Sequence, residues 1–266
     1  MNARETRRRV ALDELVDSVA LEEFCSAHGD PRFAEVVIVA AAYHEVDNIG
    51  RVVDALPAEL CGKPVTFVVV IDGEEDGTAE IVRKSGHYAV VCPVNRGQGA
   101  ALRLGYRVAA EHGARYIVTA DADGQTDPGD LADVLGPVLD DEADLVTGSR
   151  RLGRTESSDI VRNFGIVFFS VVISRLAGTR VTDVANPIRA MRADLPERLT
   201  LAEPQYQSSE LLIGAVMRGA RFAERPVTML ARTSGHSKKG GNLVYGYRFS
   251  RVVLRTWWRE RRARRR

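Results

Sequence analysis

Two aspartates one residue apart, Asp121-Ala122-Asp123, stand directly behind an apolar run, Tyr116 to Ala120. Carboxylates at i and i+2 on a strand end and its turn reach one hard cation together. Mg2+ or Mn2+ takes such oxygen ligands and keeps positions open for diphosphate oxygens. Held there, the cation neutralises charge on a departing nucleoside diphosphate. Gly124 and Gln125 complete the segment. Asp and Gly are also common turn residues, so a plain turn is the competing reading; the position behind a buried strand favours the metal.

Four other polar segments have the residue types for ligand chemistry. Tyr43-His44-Glu45 follows the run Val36 to Ala41, and Asp72-Gly73-Glu74-Glu75-Asp76-Gly77-Thr78 follows Val65 to Ile71. An aspartate at such a strand end accepts hydrogen bonds from a nucleobase or ribose; equally, Asp76 caps the next helix of a structural turn. Asn95-Arg96-Gly97-Gln98-Gly99-Ala100 lies between a strand and a helix, where glycines permit close approach and a helix start favours phosphate. It is neither GxGxxG nor a P-loop. Arg232-Thr233-Ser234-Gly235-His236-Ser237-Lys238-Lys239 is cationic and suited to closing over phosphates, with lysine as a point charge, or else is a solvated basic loop.

Positioning these segments takes strands that end together. Apolar runs of strand length recur at 36–41, 65–71, 89–91, 116–120 and 145–148, and helical spacing recurs at 47–56, 76–85, 99–113 and 130–139. The alternation predicts a single, Rossmann-like α/β domain with a mainly parallel central sheet and helices on both faces. Ligands bind beyond the carboxyl ends of such strands, where the polar segments sit. Past residue 150 the spacing predicts a helix over 162–176, a connector with Asp183, Asn186 and Pro187, a helix over 208–218, and a strand over 222–230 interrupted by Pro226. Residues 1–34 read as a polar helical extension, 35–240 as the domain, and 241–266 as a basic amphipathic C-terminal helix.

Composition is that of a globular chain: 45% hydrophobic, 27% charged, formal net charge +1. The near-neutral total hides an acidic stretch, Asp121 to Asp144, and an arginine-rich end. Three scattered cysteines and five scattered histidines argue against a disulfide framework and a zinc site, and place the chain in a reduced, cytoplasmic setting. No apolar signal segment opens the sequence. The most apolar run, Phe164 to Leu176, contains Arg175 and is about half a membrane span.

Taken together the segments resemble the glycosyltransferase family 2 enzymes of the GT-A fold, most closely the polyprenyl-phosphate (dolichyl-phosphate) mannosyl- and glucosyltransferase branch, over about residues 35–240. The resemblance rests on Tyr43-His44-Glu45, Asp72 with Asp76-Gly77-Thr78, Asn95-Arg96-Gly97-Gln98-Gly99, Asp121-Ala122-Asp123-Gly124-Gln125, and Gly148-Ser149-Arg150. It continues through Asp183 with Asn186-Pro187-Ile188-Arg189, Glu210, and Arg232 with Gly235, Ser237 and Lys238. It implies an inverting, metal-dependent transfer of a sugar from a UDP- or GDP-sugar. Tyr43, Glu45, Asp72, Asn95 and Gly99 bind substrate, and Glu45 and Asp72 contact the nucleoside. Asp121 and Asp123 hold the metal and diphosphate, and Gln125 lies beside acceptor or metal. Arg150, Arg232, Ser237 and Lys238 bind phosphates. The sequence departs from the family pattern at Ala41, His44, Ile71 and Asn186. The His44 and Ile71 departures leave the base and the sugar of the donor unassigned.

A lipid-phosphate acceptor is already anionic and needs no strong base. A hydroxyl on a small-molecule acceptor needs a carboxylate base, and Glu210 and Asp183 are then the candidates; either also serves as a surface or capping residue. The end of the chain, Val252 to Arg259, mixes Trp, Arg and apolar residues as a membrane-interface helix does, which predicts peripheral membrane contact at the cytoplasmic face; a basic helix packed on the domain is the competing expectation. No nucleic-acid-binding module accompanies the arginines, so nucleic acid is not expected as a partner, and a homo-oligomer is left open. The remaining alternatives are the same chemistry on a soluble acceptor and a catalytically silent nucleotide-sugar binder; a nucleotidyltransferase lacks its glycine- and arginine-rich first loop.

Overall fold

The computed structural model describes residues 3–73, 76–155, 160–230 and 242–264. Its centre is a run of largely buried strands. β1 (Val36–Ala42) is flanked by β3 (Lys63–Asp72) and β5 (Tyr116–Asp121), both parallel to it. β4 (Tyr88–Cys92) is parallel to β3 on its other side, and the two-residue β2 (Glu59–Leu60) pairs antiparallel with the start of β3. Beyond β5 the order continues β7 (Arg189–Arg192), β6 (Leu145–Thr155), β8 (Phe222–Met229). β7 runs antiparallel to both its neighbours, whereas β6 and β8 are parallel. The sheet is therefore mainly parallel with one reversed strand inserted.

Side chains alternate across this sheet as strand geometry requires. Val37 and Val39 enter one apolar cluster, and Val36, Ile38 and Ala40 enter the other. The second cluster is closed by α2 (Val46–Ala55), α3 (Thr78–Lys84) and α5 (Asp130–Leu139). The first is closed by α1 (Ala3–His28), α4 (Gln98–Glu111), α6 (Ile160–Ala177), α7 (Gln207–Met217) and α8 (Asn242–Ala263). Helices thus cover both faces, as predicted.

Three differences from the expected elements have physical reasons. β7 falls within the segment read as a connector: four residues with arginine at each end carry no strand period, and pairing with β5 and β6 decides their conformation. β6 runs to Thr155 rather than stopping at Gly148, because β8 extends alongside it across a register shift between Ser149 and Arg154. Pro226 does not interrupt β8, which lies at the end of the sheet, where a missing N–H is tolerated.

The two ends of the chain pack on the core. In α1, Val16, Ala20 and Phe24 are buried, and the Phe24 ring lies 6.2 Å from that of Tyr88 on β4 and 5.3 Å from that of His112. Asp17 of the same helix receives the Arg96 guanidinium at 2.7 Å. In α8, Phe249, Val252 and Val253 are buried, and the Trp257 indole N–H donates to the Leu176 carbonyl at 3.1 Å. Packing of the basic helix on the domain, the competing expectation, is what its inner face shows; Tyr247 (72% exposed) and Trp258 (52%) stay outside.

Phe24 is fully buried, so Phe24→Ala is expected to lower unfolding stability by about 3–5 kcal/mol. Urea titration measures it, and a loss below about 1 kcal/mol would show that α1 lies outside the cooperative unit.

Candidate active site

Register brings the polar segments to one edge. Ala42 of β1 pairs with Ile71 of β3, and Ala41 pairs with Asp121 of β5. The next residues, Tyr43, Asp72 and Ala122-Asp123, therefore leave the sheet side by side. Ala122 is turned into the core, while Asp121 and Asp123 on either side of it are half-exposed. The turn is held by its own polar groups. The Asp121 N–H donates to Thr126 Oγ1 at 3.1 Å, and the Gln125 N–H donates to Asp123 Oδ1 at 3.2 Å. Gln125 Nε2 and its carbonyl bind the carbonyl and N–H of Leu230, at 3.3 and 3.0 Å. The chain therefore leaves β8 beside Gln125. Arg232, Ser237 and Lys238 follow, and they lie outside the described residues.

The donor set fits a hard divalent cation in a specific way. Among the described residues no three His, Cys, Asp or Glu side chains converge. Two carboxylates alone do not fill an octahedral shell, and the remainder must come from diphosphate oxygens and water, as is usual for Mg2+ at phosphate sites.

At the end of β3, Asp72 is buried and accepts the N–H groups of Arg96 at 3.0 Å and Gly97 at 2.7 Å. Burial pushes its carboxyl above the usual range despite those bonds. Its observed work is to anchor the loop before α4. The Gly99 N–H donates to the Pro204 carbonyl at 2.8 Å, and a Cβ on Gly97 or Gly99 would lie 2.6 Å from the Pro204 oxygen or 2.3 Å from the Glu203 oxygen. The close approach these glycines permit here is that of residues 203–204, and the Gly99 N–H is engaged by the Pro204 carbonyl. Asn95 is exposed, next to Gly73. On the other flank, Tyr43 is exposed, and Glu45 accepts from Asn48 Nδ2 at 2.7 Å at the start of α2. The Val46 N–H there donates to Asp76, which also takes the Thr78 N–H.

Arg150 and Asp183 are brought together. Nε and Nη2 of Arg150 meet the two carboxylate oxygens of Asp183 at 2.6 and 2.7 Å, and the Arg150 N–H adds a third bond at 3.1 Å. Asp183 has no exposed surface. Its own N–H and that of Thr182 donate to Glu224, a residue no sequence motif marks. Arg189 is also buried: it donates to the Asn186 and Ser208 carbonyls, and burial lowers its guanidinium to about 10, so it remains charged at neutral pH. Glu210 is separate from this network. Its oxygens accept the N–H groups of Ala202 at 2.9 and 3.0 Å and of Glu203 at 2.9 Å, and Arg259 of α8 at 2.9 Å. It therefore ties α7 and α8 to the residues that cover Gly97 and Gly99.

Solved GT-A glycosyltransferases share the fold. Glucosyl-3-phosphoglycerate synthase from Mycobacterium tuberculosis, in complex with Mn2+, UDP and glucosyl-3-phosphoglycerate, superposes with a TM-score of 0.65 at 22% identity, over 85% of this chain and 80% of that one. Residues 37–199 match the family described as Glycosyl transferase family 2, and the chain belongs to that family. A UDP-N-acetylglucosamine–dolichyl-phosphate N-acetylglucosaminyltransferase of Methanococcus voltae is 28% identical over 82% of this chain and 95% of its own length. An undecaprenyl-phosphate mannosyltransferase of Micrococcus luteus is 29% identical over 79% and 89%.

Removing one partner of a buried ion pair strands the other charge. Asp183→Ala is therefore expected to lower stability by about 3–5 kcal/mol, and Asp183→Leu with Arg150→Met by distinctly less. Chemical denaturation of both variants checks this; equal losses would contradict the buried pairing.

Proposed function

We propose that this protein transfers a sugar, with inversion, from a nucleoside-diphosphate sugar to the phosphate of a polyprenyl phosphate. The observation that carries the reading is the pair Asp121 and Asp123 at the common edge of β3, β1 and β5. Relatives that share most of their length with this chain are named for dolichyl- and undecaprenyl-phosphate acceptors. Mg2+ or Mn2+, when bound, supplies charge neutralisation for the leaving diphosphate. Asp121 and Asp123 would hold it, and Gln125 keeps their turn in place. Tyr43 and Glu45 flank the nucleoside side, while Asp72 fixes the loop behind it. Arg150, held by Asp183, would bind the acceptor phosphate, with Arg232, Ser237 and Lys238 as further phosphate-binding groups.

An anionic acceptor needs no proton removed. That matches Asp183 and Glu210, whose oxygens are engaged by N–H groups and arginines. We assign both to positioning rather than proton abstraction. Among the described residues no helix is long and apolar enough to cross a membrane. We place the enzyme on the cytoplasmic face of a membrane, met in part by the outer side of α8.

The test is transfer of label from UDP- and GDP-sugars to detergent-dispersed undecaprenyl phosphate with Mn2+. Label is expected in the lipid fraction. It should be lost with a chelator and fall on the order of 100-fold or more in Asp121→Ala and Asp123→Ala. Label confined to water-soluble products, or full transfer by both variants, would overturn the reading.

A further inference from the structure

Outside the site just described, a cavity of about 710 Å3 opens between the irregular part of β6 and the C-terminal half of α6. That size is ordinary for a ligand site. Its lining is unusual in charge. Arg151 comes from β6, Arg175 from the last turn of α6, and Arg180 from the chain just after it; all three are exposed, and among the described residues no acidic side chain lines the cavity. Among the described residues none of the three has a carboxylate partner. Other arginines of this chain are paired: Arg150 with Asp183, Arg96 with Asp17, Arg221 with Asp144. The negative end of α6 accounts for one cation at its last turn but not for three converging from separate segments.

The neighbourhood is apolar as well as cationic. Leu152 and Val171 line the cavity and are 49% and 45% exposed. Phe168, one turn before Val171 on the same helix, is 55% exposed. A soluble anion would leave these three side chains in water. A phosphate with hydrocarbon attached satisfies both halves of the surface, because guanidinium groups pair with phosphate oxygens and large apolar side chains enter the acyl boundary. Arg150, the neighbour of Arg151, turns to Asp183 instead, so this groove is separate from the phosphate-binding arginine of the active site.

We infer that the groove of Arg151, Arg175 and Arg180, with Leu152, Phe168 and Val171, docks the chain on an anionic lipid surface by taking a phospholipid headgroup. The inference rests on the lipid-acceptor reading for its purpose, and its readout is independent of sugar transfer. It locates membrane contact at α6 and β6 in addition to the outer side of α8.

The experiment is co-sedimentation of the full chain, without donor, with phosphatidylcholine vesicles and with vesicles containing phosphatidylglycerol. The chain is expected to bind only the anionic vesicles, more weakly at high salt. The variant Arg151→Gln/Arg175→Gln/Arg180→Gln should lose affinity on the order of 100-fold, with an unchanged melting temperature. Phe168→Ser should weaken binding at unchanged salt dependence. The variant Arg251→Gln/Arg262→Gln on α8 is the comparator, and inorganic phosphate is the soluble competitor. Wild-type retention by the triple variant, loss in the α8 variant alone, absence of wild-type binding, or displacement by millimolar inorganic phosphate would each overturn the inference. Failure of transfer to detergent-dispersed undecaprenyl phosphate strikes the functional reading and leaves the vesicle result standing.

Discussion

The structure depends on three parallel strands that end at the same level. β3, β1 and β5 are buried on both faces, and a carboxylate inside such a strand would lose its hydration without recompense. Acidic residues are therefore confined to the ends. Because the register pairs Ala42 with Ile71 and Ala41 with Asp121, those ends coincide. A divalent cation and a diphosphate need such a place: carboxylates at the rim of a rigid floor, with water still within reach.

What distinguishes the acids is what each one holds. Asp72 takes two N–H groups of the loop before α4, Asp183 a guanidinium, Glu224 the N–H groups of Thr182 and Asp183, and Glu210 two backbone N–H groups and Arg259. All four bind the chain to itself, and the loops that would surround donor and acceptor are fixed through them. Glu210 extends this framework to the C-terminal helix: Arg259 meets its carboxylate, whose N–H partners are Ala202 and Glu203, and the Glu203 carbonyl lies against Gly99. The two ends of the chain thus brace the same region, α1 through Asp17 and Arg96, α8 through Arg259 and Glu210.

Much of this was legible in the residues. Val36–Ala42 reads as a doubly buried strand because nothing but small and β-branched apolar residues fills it, and the aspartates behind Tyr116–Ala120 mark the candidate site by position alone. β7 was not legible, since Arg-Ala-Met-Arg acquires its conformation from β5 and β6. Nor was the meaning of the glycines before α4. Their spacing announces close approach, yet only the fold shows that the approaching group is the backbone of residues 203–204. Burial likewise separates Asp183 and Glu210 from Asp121 and Asp123, a difference that residue type does not encode.

The most direct measurement is calorimetric titration of UDP and GDP into the chain with and without Mn2+, repeated on the double variant Asp121→Ala/Asp123→Ala. The account predicts that one nucleotide binds with Mn2+ present, and that its affinity falls at least about tenfold when either the ion or the two carboxylates are removed, with no further loss when both are. Equal affinity for nucleotide in all four conditions would contradict it.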